Sequence, residues 1–435
     1  MQFDATSGIK EKIAVIGLGF VGLPLSVMLA EKGFSVAGID TDVEKVSKLH
    51  QSKSYIGDID DNRLKKVVDS GNFVATTNFD EIKSVGSIII CVPTPLTNQK
   101  VPDLRFIISA GTEISKRLQK GQLIILESST FPGTTNEVLL PILEKSGLQI
   151  GEDFLLANSP ERIDPGNDKY MVDEIPKVVG GVTSKCKQAA ISLYSQIYHE
   201  VVPVSSTEAA ELTKLLENTF RFINISFINE MAILCDQLHV DIWEVINAAA
   251  TKPYGFTPFY PGPGIGGHCI PVDPLYLQWK LKQLEMSSDF ITISEQTNHR
   301  MISYIVNRTE KLLPSKSLSS TNILIYGVTY KKDVEDTRDS AALEIIELLK
   351  QKGANVHYHD PYISSLKIAN EELFNTDLTE NVLRKMDCTI ILTDHSNIPL
   401  KKILNNASLV FDTKNITNGH EGTARVVRLG EGVQL

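Results

Sequence analysis

Three features of this 435-residue chain set its fold class. Apolar runs of strand length alternate with helical patterns near both ends. The first run closes on Gly17-x-Gly19-x-x-Gly22. A helical pattern free of Gly and Pro, 207–236, lies between the two alternating regions. Together they predict an α/β protein in three parts. These are an N-terminal Rossmann dinucleotide-binding domain over 1–205, a central long-helix domain over 206–312, and a C-terminal Rossmann-like α/β domain over 320–435.

Composition narrows the class of function. The chain is 42% apolar and 22% charged, as in an ordinary water-soluble globule. A net charge of −10 argues against bulk attraction to nucleic acid or an anionic membrane, so neither is expected as a partner. The five cysteines, at 91, 186, 235, 269 and 388, form no CxxC pair. That predicts reduced thiols, a cytoplasmic setting and no zinc site. No signal-peptide pattern opens the chain, and charges interrupt every long apolar run.

The N-terminal unit begins with KIAVIGLGFVG, then a helical pattern to Gly33, then SVAGID ending in Asp40. A bare GxGxxG is weak, but strand, glycines, helix, strand and terminal acid in sequence are specific. The glycines let a pyrophosphate approach the helix N-terminus, where N–H groups and the dipole favour anions. Asp40 can accept from ribose hydroxyls and would repel a 2′-phosphate, so NAD is expected over NADP.

Three more runs deliver polar clusters to one sheet edge. SIIICVP ends at Pro93 and Thr94, GQLIILESST at Glu127-Ser128-Ser129-Thr130, and DFLLANSPERIDPG at Asn158, Ser159, Glu161 and Arg162. The carboxyl edge of an open α/β sheet is where ligands bind. Ser128 and Ser129 also fit plain turn formers and helix caps. Glu161, placed between Pro160 and Arg162, calls for another reason.

In the central helix, Thr207, Glu211, Lys214, Asn218 and Arg221 recur at spacings that share one face. Lys214 and Asn218 are suited to stabilising an alkoxide or oxyanion. A solvated stripe on an otherwise buried helix is the competing reading. The apolar remainder also predicts a subunit interface.

GPGIGGHCIPVDP, 262–274, is too rich in Gly and Pro for a regular helix or strand. It reads as a rigid loop carrying one thiol, Cys269, and one carboxylate, Asp273. The following PLYLQWKLKQL reads as a helix, with Asp273 as candidate N-cap and Pro274 at its first position. A thiol near a cation or helix start is activated as a nucleophile. Taken alone, the stretch fits an inert buried thiol equally well.

The last third opens with NILIYGVTYKKDVEDTRDS, then a helix, Gly353, and a strand ending at Asp360. DCTIILTDH and SLVFDTKN add two strand candidates. Without GxGxxG, this unit is not expected to hold a second dinucleotide in that way. Lys331, Lys332 and Arg338 follow its first strand, where they can meet phosphates. His357 and His359 alternate on a strand without Cys or acid partners, and no metal is expected there.

With these residues in place, the chain resembles the UDP-sugar 6-dehydrogenases, from GLGFVG to DTKN. ELTKLLEN, GGHCIPVD and YKKDVEDTRDS are the most specific motifs. CVPTPLT, LESSTFPGTT, SPERIDPGN and TKPYGFTPFYPGPG look most like the members acting on UDP-N-acetylhexosamines, notably UDP-N-acetylglucosamine. The sequence departs from the UDP-glucose enzymes at three places. His268 replaces a Ser, Pro165 next to Asp164 replaces a second Glu, and Lys252 and Pro253 stand near a position where those enzymes have Arg.

The resemblance implies NAD held by Gly17, Leu18, Gly19, Phe20, Val21 and Gly22, with Asp40, Lys45, Pro93, Thr94, Ser129, Thr130 and Arg338. It implies a UDP-sugar substrate held by Glu161, Arg162, Lys214, Asn218, Gly266, Cys269, Tyr330 and Lys331. Cys269 would be the nucleophile, Lys214 and Asn218 the oxyanion stabilisers, Asp273 and Thr130 the water-positioning pair, and Glu161 the general base. A homodimer, or a multiple of one, is the family expectation. Two rivals remain: a two-electron 3-hydroxyacid dehydrogenase, which needs neither Cys269 nor the last domain, and a non-catalytic nucleotide-sugar sensor.

Overall fold

The computed structural model describes residues 12–57, 59–97, 99–163, 170–267, 269–313, 317–369 and 371–433. Asp164, Pro165 and His268, weighed above, lie outside the described residues. The chain forms two compact units. One comprises the chain to Glu217 with Leu275–Met286, the other Asn218–Pro274 with Ser287–Leu435.

The first unit is built on an eight-stranded sheet: β1 (Lys12–Ile16), β2 (Ser35–Ile39), β3 (Phe73–Thr76), β4 (Ser87–Ile90), β5 (Leu123–Leu126), β6 (Leu155–Asn158), β7 (Lys177–Gly181) and β8 (Val201–Pro203). The order is β3-β2-β1-β4-β5-β6-β7-β8, parallel except for the β6–β7 pair. The chain runs outward through β2 and β3, then returns to place β4 on the other side of β1. That reversal opens a crevice beyond the carboxyl ends of β1 and β4, the ligand-binding position of a doubly wound sheet. Every residue of β4 and β5 is buried, as two covered faces require. Each buried Ile of these strands is worth about 1.5–3 kcal/mol against leaving it exposed. β4 stops at Ile90, so Cys91 to Thr94 belong to the rim rather than to the strand.

In the second unit a parallel sheet runs β10-β9-β13-β14-β15. Its members are β9 (Asn322–Tyr326), β10 (Asn355–His359), β13 (Cys388–Ile391), β14 (Leu409–Asp412) and β15 (Arg425–Arg428); a hairpin of β11 (Ser365–Ile368) and β12 (Glu371–Phe374) pairs separately but shares the same core through Leu366 and Ile368. The order reverses between β9 and β13, giving a second switch point beyond Tyr326 and Ile391. The helices Ile242–Ala250, Asp289–Leu312 and Ala341–Gln351 share one core with this sheet, in which Trp243, Ile305, Ile345, Ile323 and Phe411 are all buried.

The long helix runs Thr207–Leu238, two residues beyond the predicted Asp236. The helix after the Gly/Pro loop begins at Asp273, which corrects the N-cap assignment of that residue. The N–H groups of Val272 and Asp273 already bond the carbonyl of Cys269, at 3.2 and 2.9 Å. The turn therefore closes on Cys269, and Asp273 lies inside the first helical turn.

Candidate active site

The crevice of the first unit is shaped by its glycines. At Gly17, φ is 91°, and an added Cβ would lie 2.7 Å from the Cys91 carbonyl oxygen; at Gly22 it would lie 1.8 Å from the Gly17 oxygen. No larger residue fits at either position. Asp40 follows β2, and its Oδ2 accepts from the N–H of Leu18 at 2.8 Å while Oδ1 accepts from Asp42 at 2.9 Å. Its carboxylate is thus fixed beside the glycine turn, with Lys45 Nζ 3.9 Å away. Phe20 is exposed and Val21 half-buried. The Tyr276 hydroxyl donates to the carbonyl of Thr94, tying that rim down, while Pro93 is exposed. These residues fit a dinucleotide: a turn that excludes a Cβ at Gly17 and Gly22, a helix start at Gly22, and a fixed acid at the ribose position.

The β5 and β6 rims meet the start of the long helix. Ser129, Thr130, Asn158, Glu211 and Lys214 line one concavity. Lys214 is half-buried and donates to the Ser129 hydroxyl. Glu211 is 3% exposed and accepts from the N–H groups of Gly133 and Thr135, at 2.6 and 2.9 Å, and from the Thr135 hydroxyl at 2.6 Å. Burial pushes its carboxyl up to about 7 against the pull of those donors. The solvated-stripe reading of this helix face is thereby set aside, since Thr207, Glu211 and Asn218 are all buried. Thr130 Oγ1, Asn158 Oδ1 and Ser159 Oγ are buried without a partner among the described residues. Each such atom costs about 1–3 kcal/mol, so their grouping at one rim marks a place made to receive polar atoms.

Glu161 is almost fully buried. Its Oε2 receives Lys177 Nζ at 2.7 Å, and its Oε1 receives the N–H groups of Arg162 and Ile163 at 2.6 and 2.7 Å. Burial raises its carboxyl, but the charge and hydrogen bond of Lys177, the Ile163 N–H and the charge of Lys214 outweigh this, leaving it below the usual glutamate range. Arg162 forks onto Glu217, at 3.1 and 2.6 Å, and also donates to the Pro176 carbonyl. Sequence reasoning passed over Lys177. Its only signal is a single cation opening an apolar run.

The second unit assembles the thiol group. Cys269 is exposed, whereas the other four cysteines are buried, and none of the five is in a disulfide. A Cβ on Gly267 would lie 2.6 Å from the Tyr330 ring, and one on Gly266 2.5 Å from the Asp339 carbonyl oxygen. The loop glycines therefore let the chain lie flat against Tyr330. The Gly267 N–H donates to the carbonyl of Arg338 at 3.2 Å, and the Arg338 guanidinium is within electrostatic reach of Cys269. Its side chain forks onto Asp336, which, with burial opposing, raises its pKa. Asn218 Nδ2 donates to Asp273 Oδ2 at 2.5 Å, and Arg221 holds the Asn218 oxygen at 2.6 Å. Tyr330 and Lys331 follow β9 at the second switch point, both half-buried. Thus Gly266, Cys269, Tyr330 and Arg338 gather around one loop, and Asn218 and Asp273 form one pair. His359 Nδ1 lies 2.9 Å from the Thr376 carbonyl oxygen.

Among the described residues, no helix is long and apolar enough to cross a membrane.

Comparison with known proteins agrees with this division of chemistry. The chain matches the UDP-glucose/GDP-mannose dehydrogenase family in its NAD binding domain over residues 11–198, its central domain over 208–300 and its UDP binding domain over 324–419. It is 36% identical to UDP-N-acetyl-D-glucosamine 6-dehydrogenase of Pseudomonas aeruginosa, covering 81% of this chain and 83% of that one. It is 34% identical to UDP-N-acetyl-D-mannosamine dehydrogenase of Methanococcus aeolicus, covering 97% and 95%. Among solved structures it is similar to the UDP-D-ManNAc dehydrogenase from Pyrococcus horikoshii, with a TM-score of 0.88, 31% identity, and coverage of 97% and 99%.

Proposed function

Because the chain belongs to the UDP-glucose/GDP-mannose dehydrogenase family and is an NAD-dependent UDP-sugar dehydrogenase, we propose that it oxidises the C6 hydroxyl of a UDP-N-acetylhexosamine, foremost UDP-N-acetylglucosamine, to the uronic acid. The product serves as a precursor of a surface polysaccharide. The observation that carries the four-electron reading is the single exposed thiol, Cys269, on a loop packed against Tyr330 and Arg338.

NAD, when bound, would supply the hydride acceptor, one molecule for each of the two oxidations. Cys269 thiolate adds to the aldehyde left by the first oxidation, forming a thiohemiacetal. Loss of the second hydride makes this a thioester, which water cleaves to carboxylate and thiol. Arg338 stabilises the thiolate, as a neighbouring guanidinium does. Lys214 and Asn218 stabilise the oxyanions, with Ser129 and Asp273 holding them in place. Asp273 and Thr130 position water, and Glu161 takes its proton; a carboxylate bound by Lys177 retains lone pairs for this. Tyr330 and Lys331 grip the UDP, with Arg162 and Gly266 shaping the sugar site. Leu18, Phe20, Val21, Lys45, Pro93 and Thr94 complete the NAD site around the glycines, and Arg338 also reaches the dinucleotide. We assign the NAD, helical and UDP parts to 1–205, 206–312 and 320–435, and place the enzyme in the cytoplasm.

The acetamido-sugar assignment rests on the motifs CVPTPLT and SPERIDPGN and on the relative named for UDP-N-acetylglucosamine. The relatives named for UDP-N-acetylmannosamine favour that epimer as the second reading. NADH formation with UDP-N-acetylglucosamine, its galacto and manno epimers and UDP-glucose tests the assignment. The highest kcat/KM is expected with UDP-N-acetylglucosamine, and a higher value with the manno epimer overturns it.

Asp40→Ser should weaken NAD about 10–100-fold, the range for a lost charge-assisted hydrogen bond, and narrow the preference over NADP. Tighter use of NADP by the wild type would overturn the role given to Asp40. A homodimer is proposed through the exposed residues Phe220, Phe227, Leu234 and Leu238 of the long helix, which recur near one face. Sedimentation showing only monomer at micromolar concentration would rule it out.

A further inference from the structure

Beneath the β5 and β6 rims lies a charged cluster of which the reaction scheme uses only Glu161. Lys177 opens β7 and is 3% exposed. Its ammonium sits 2.7 Å from Glu161 Oε2 and 3.1 Å from Glu127 Oε2. The rings of Tyr194 and Tyr198 lie 5.4 and 5.2 Å from the same nitrogen, and the Tyr194 hydroxyl donates to Glu127 Oε1. Glu127 precedes Ser128-Ser129-Thr130, and Glu161 follows Asn158-Ser159-Pro160. One cation thus ties together the bases of both loops that line the Lys214 concavity.

A buried ion triad is an expensive way to hold two loops. Removing one partner of such a cluster is strongly destabilising, whereas apolar replacement of the whole is often harmless. Packing alone would be met by apolar side chains, so the charge points to a purpose. We propose that Lys177 is a positioning residue of the reaction, fixing the Glu161 carboxylate from below and sharing its single charge with Glu127. The inference rests on Glu161 being the hydrolytic base.

The electrostatics support this division. Burial and the charge of Glu161 push Glu127 up to about 6 despite Lys177, whereas Glu161 stays below its ordinary range. The first proton taken up on acidification therefore goes to Glu127. Lys177 is then left wholly to Glu161, which remains ionised. The other titratable groups facing the cluster are Tyr194 and Tyr198 from the helix side, the Cys91 thiol from the β4 rim, and Lys214 from the long helix. Burial raises both tyrosines and the thiol well above their usual values, so they stay neutral, and Lys214 acts in the same direction as Lys177.

The test is the pH dependence of thioester hydrolysis in single turnovers, followed as loss of the sugar mass from Cys269. Lys177→Met should move the acid limb up by about one pH unit or more, because two buried carboxylates lose their shared cation. Glu127→Gln should not move it up. The double variant, with the like charge also gone, should bring the limb part of the way back. A merely structural role would lower the rate in both single variants and leave the limb in place, which overturns the inference. Should Lys177→Met fail to fold, carbon-13 titration of the glutamates in the wild type decides: Glu127 must protonate before Glu161, and the reverse order overturns the proposal. Glu161→Gln separates the two levels. Wild-type hydrolysis in that variant removes the underlying reading. Lost hydrolysis there, with an unmoved limb in Lys177→Met, removes this inference alone.

Discussion

Cys269→Ser is expected to accumulate a sugar covalently bound at residue 269, with turnover down by at least about 10³-fold. A serine hydroxyl in the same loop can still attack the aldehyde, and the second oxidation then yields an ester instead of a thioester. The ester is a poorer acyl donor, so hydrolysis stalls and the adduct appears as added mass in a digested peptide. Cys269→Ala should behave differently, giving no adduct and oxidation no further than the aldehyde. Iodoacetamide should inactivate the wild type, because Cys269 is the exposed thiol and Cys91, Cys186, Cys235 and Cys388 are buried. The UDP-sugar should protect it. Failure of Cys269→Ser to form any adduct, with slow turnover intact, would move the covalent step to another residue.

Lys214→Ala is expected to lower kcat about 10²–10³-fold while changing KM for the sugar little. That is the usual cost of removing one group that stabilises a developing oxyanion. The structure gives the ammonium a fixed direction through its bond to Ser129. Such preorganisation favours a role in the transition state over one in ground-state binding. A near-normal kcat with a large rise in KM would make Lys214 an anchor for a substrate hydroxyl or phosphate.

Much of the first sheet was legible because its signals are local. β1, the glycine turn, the helix to Gly33 and β2 follow one another within forty residues, and each carries its own period or breaker. Continuous apolar runs likewise revealed β4, β5 and β6, and alternation of strand and helix revealed β9, β10, β13 and β14, whereas β3 and β15 were not predicted. β7 and β8 were not predicted: β7 ends in two glycines, and β8 is three residues long and ends in proline. The hairpin β11–β12 offers little signal for its length: β11 alternates polar and apolar over only four residues, and β12 opens with two glutamates.

The site divides in the same way. Asp40, Lys214, Asn218, Cys269 and Asp273 stand in short motifs whose chemistry can be read along the chain. Lys177 could not be read so, because its meaning comes from carboxylates in the loops after two other strands, brought to it only by the sheet order. Glu211 looked like part of a polar stripe. Its burial depends on the Gly133–Thr135 turn, whose N–H groups it accepts. Long-range pairing is what a pattern along one dimension does not carry.

The most direct test of the four-electron account is the ratio of NADH formed to UDP-sugar consumed, measured to completion with the product identified by mass. Two NADH per sugar and a uronic acid product are expected for the wild type, and at most one NADH with an aldehyde for Cys269→Ala. One NADH per sugar in the wild type, or two in Cys269→Ala, would contradict it.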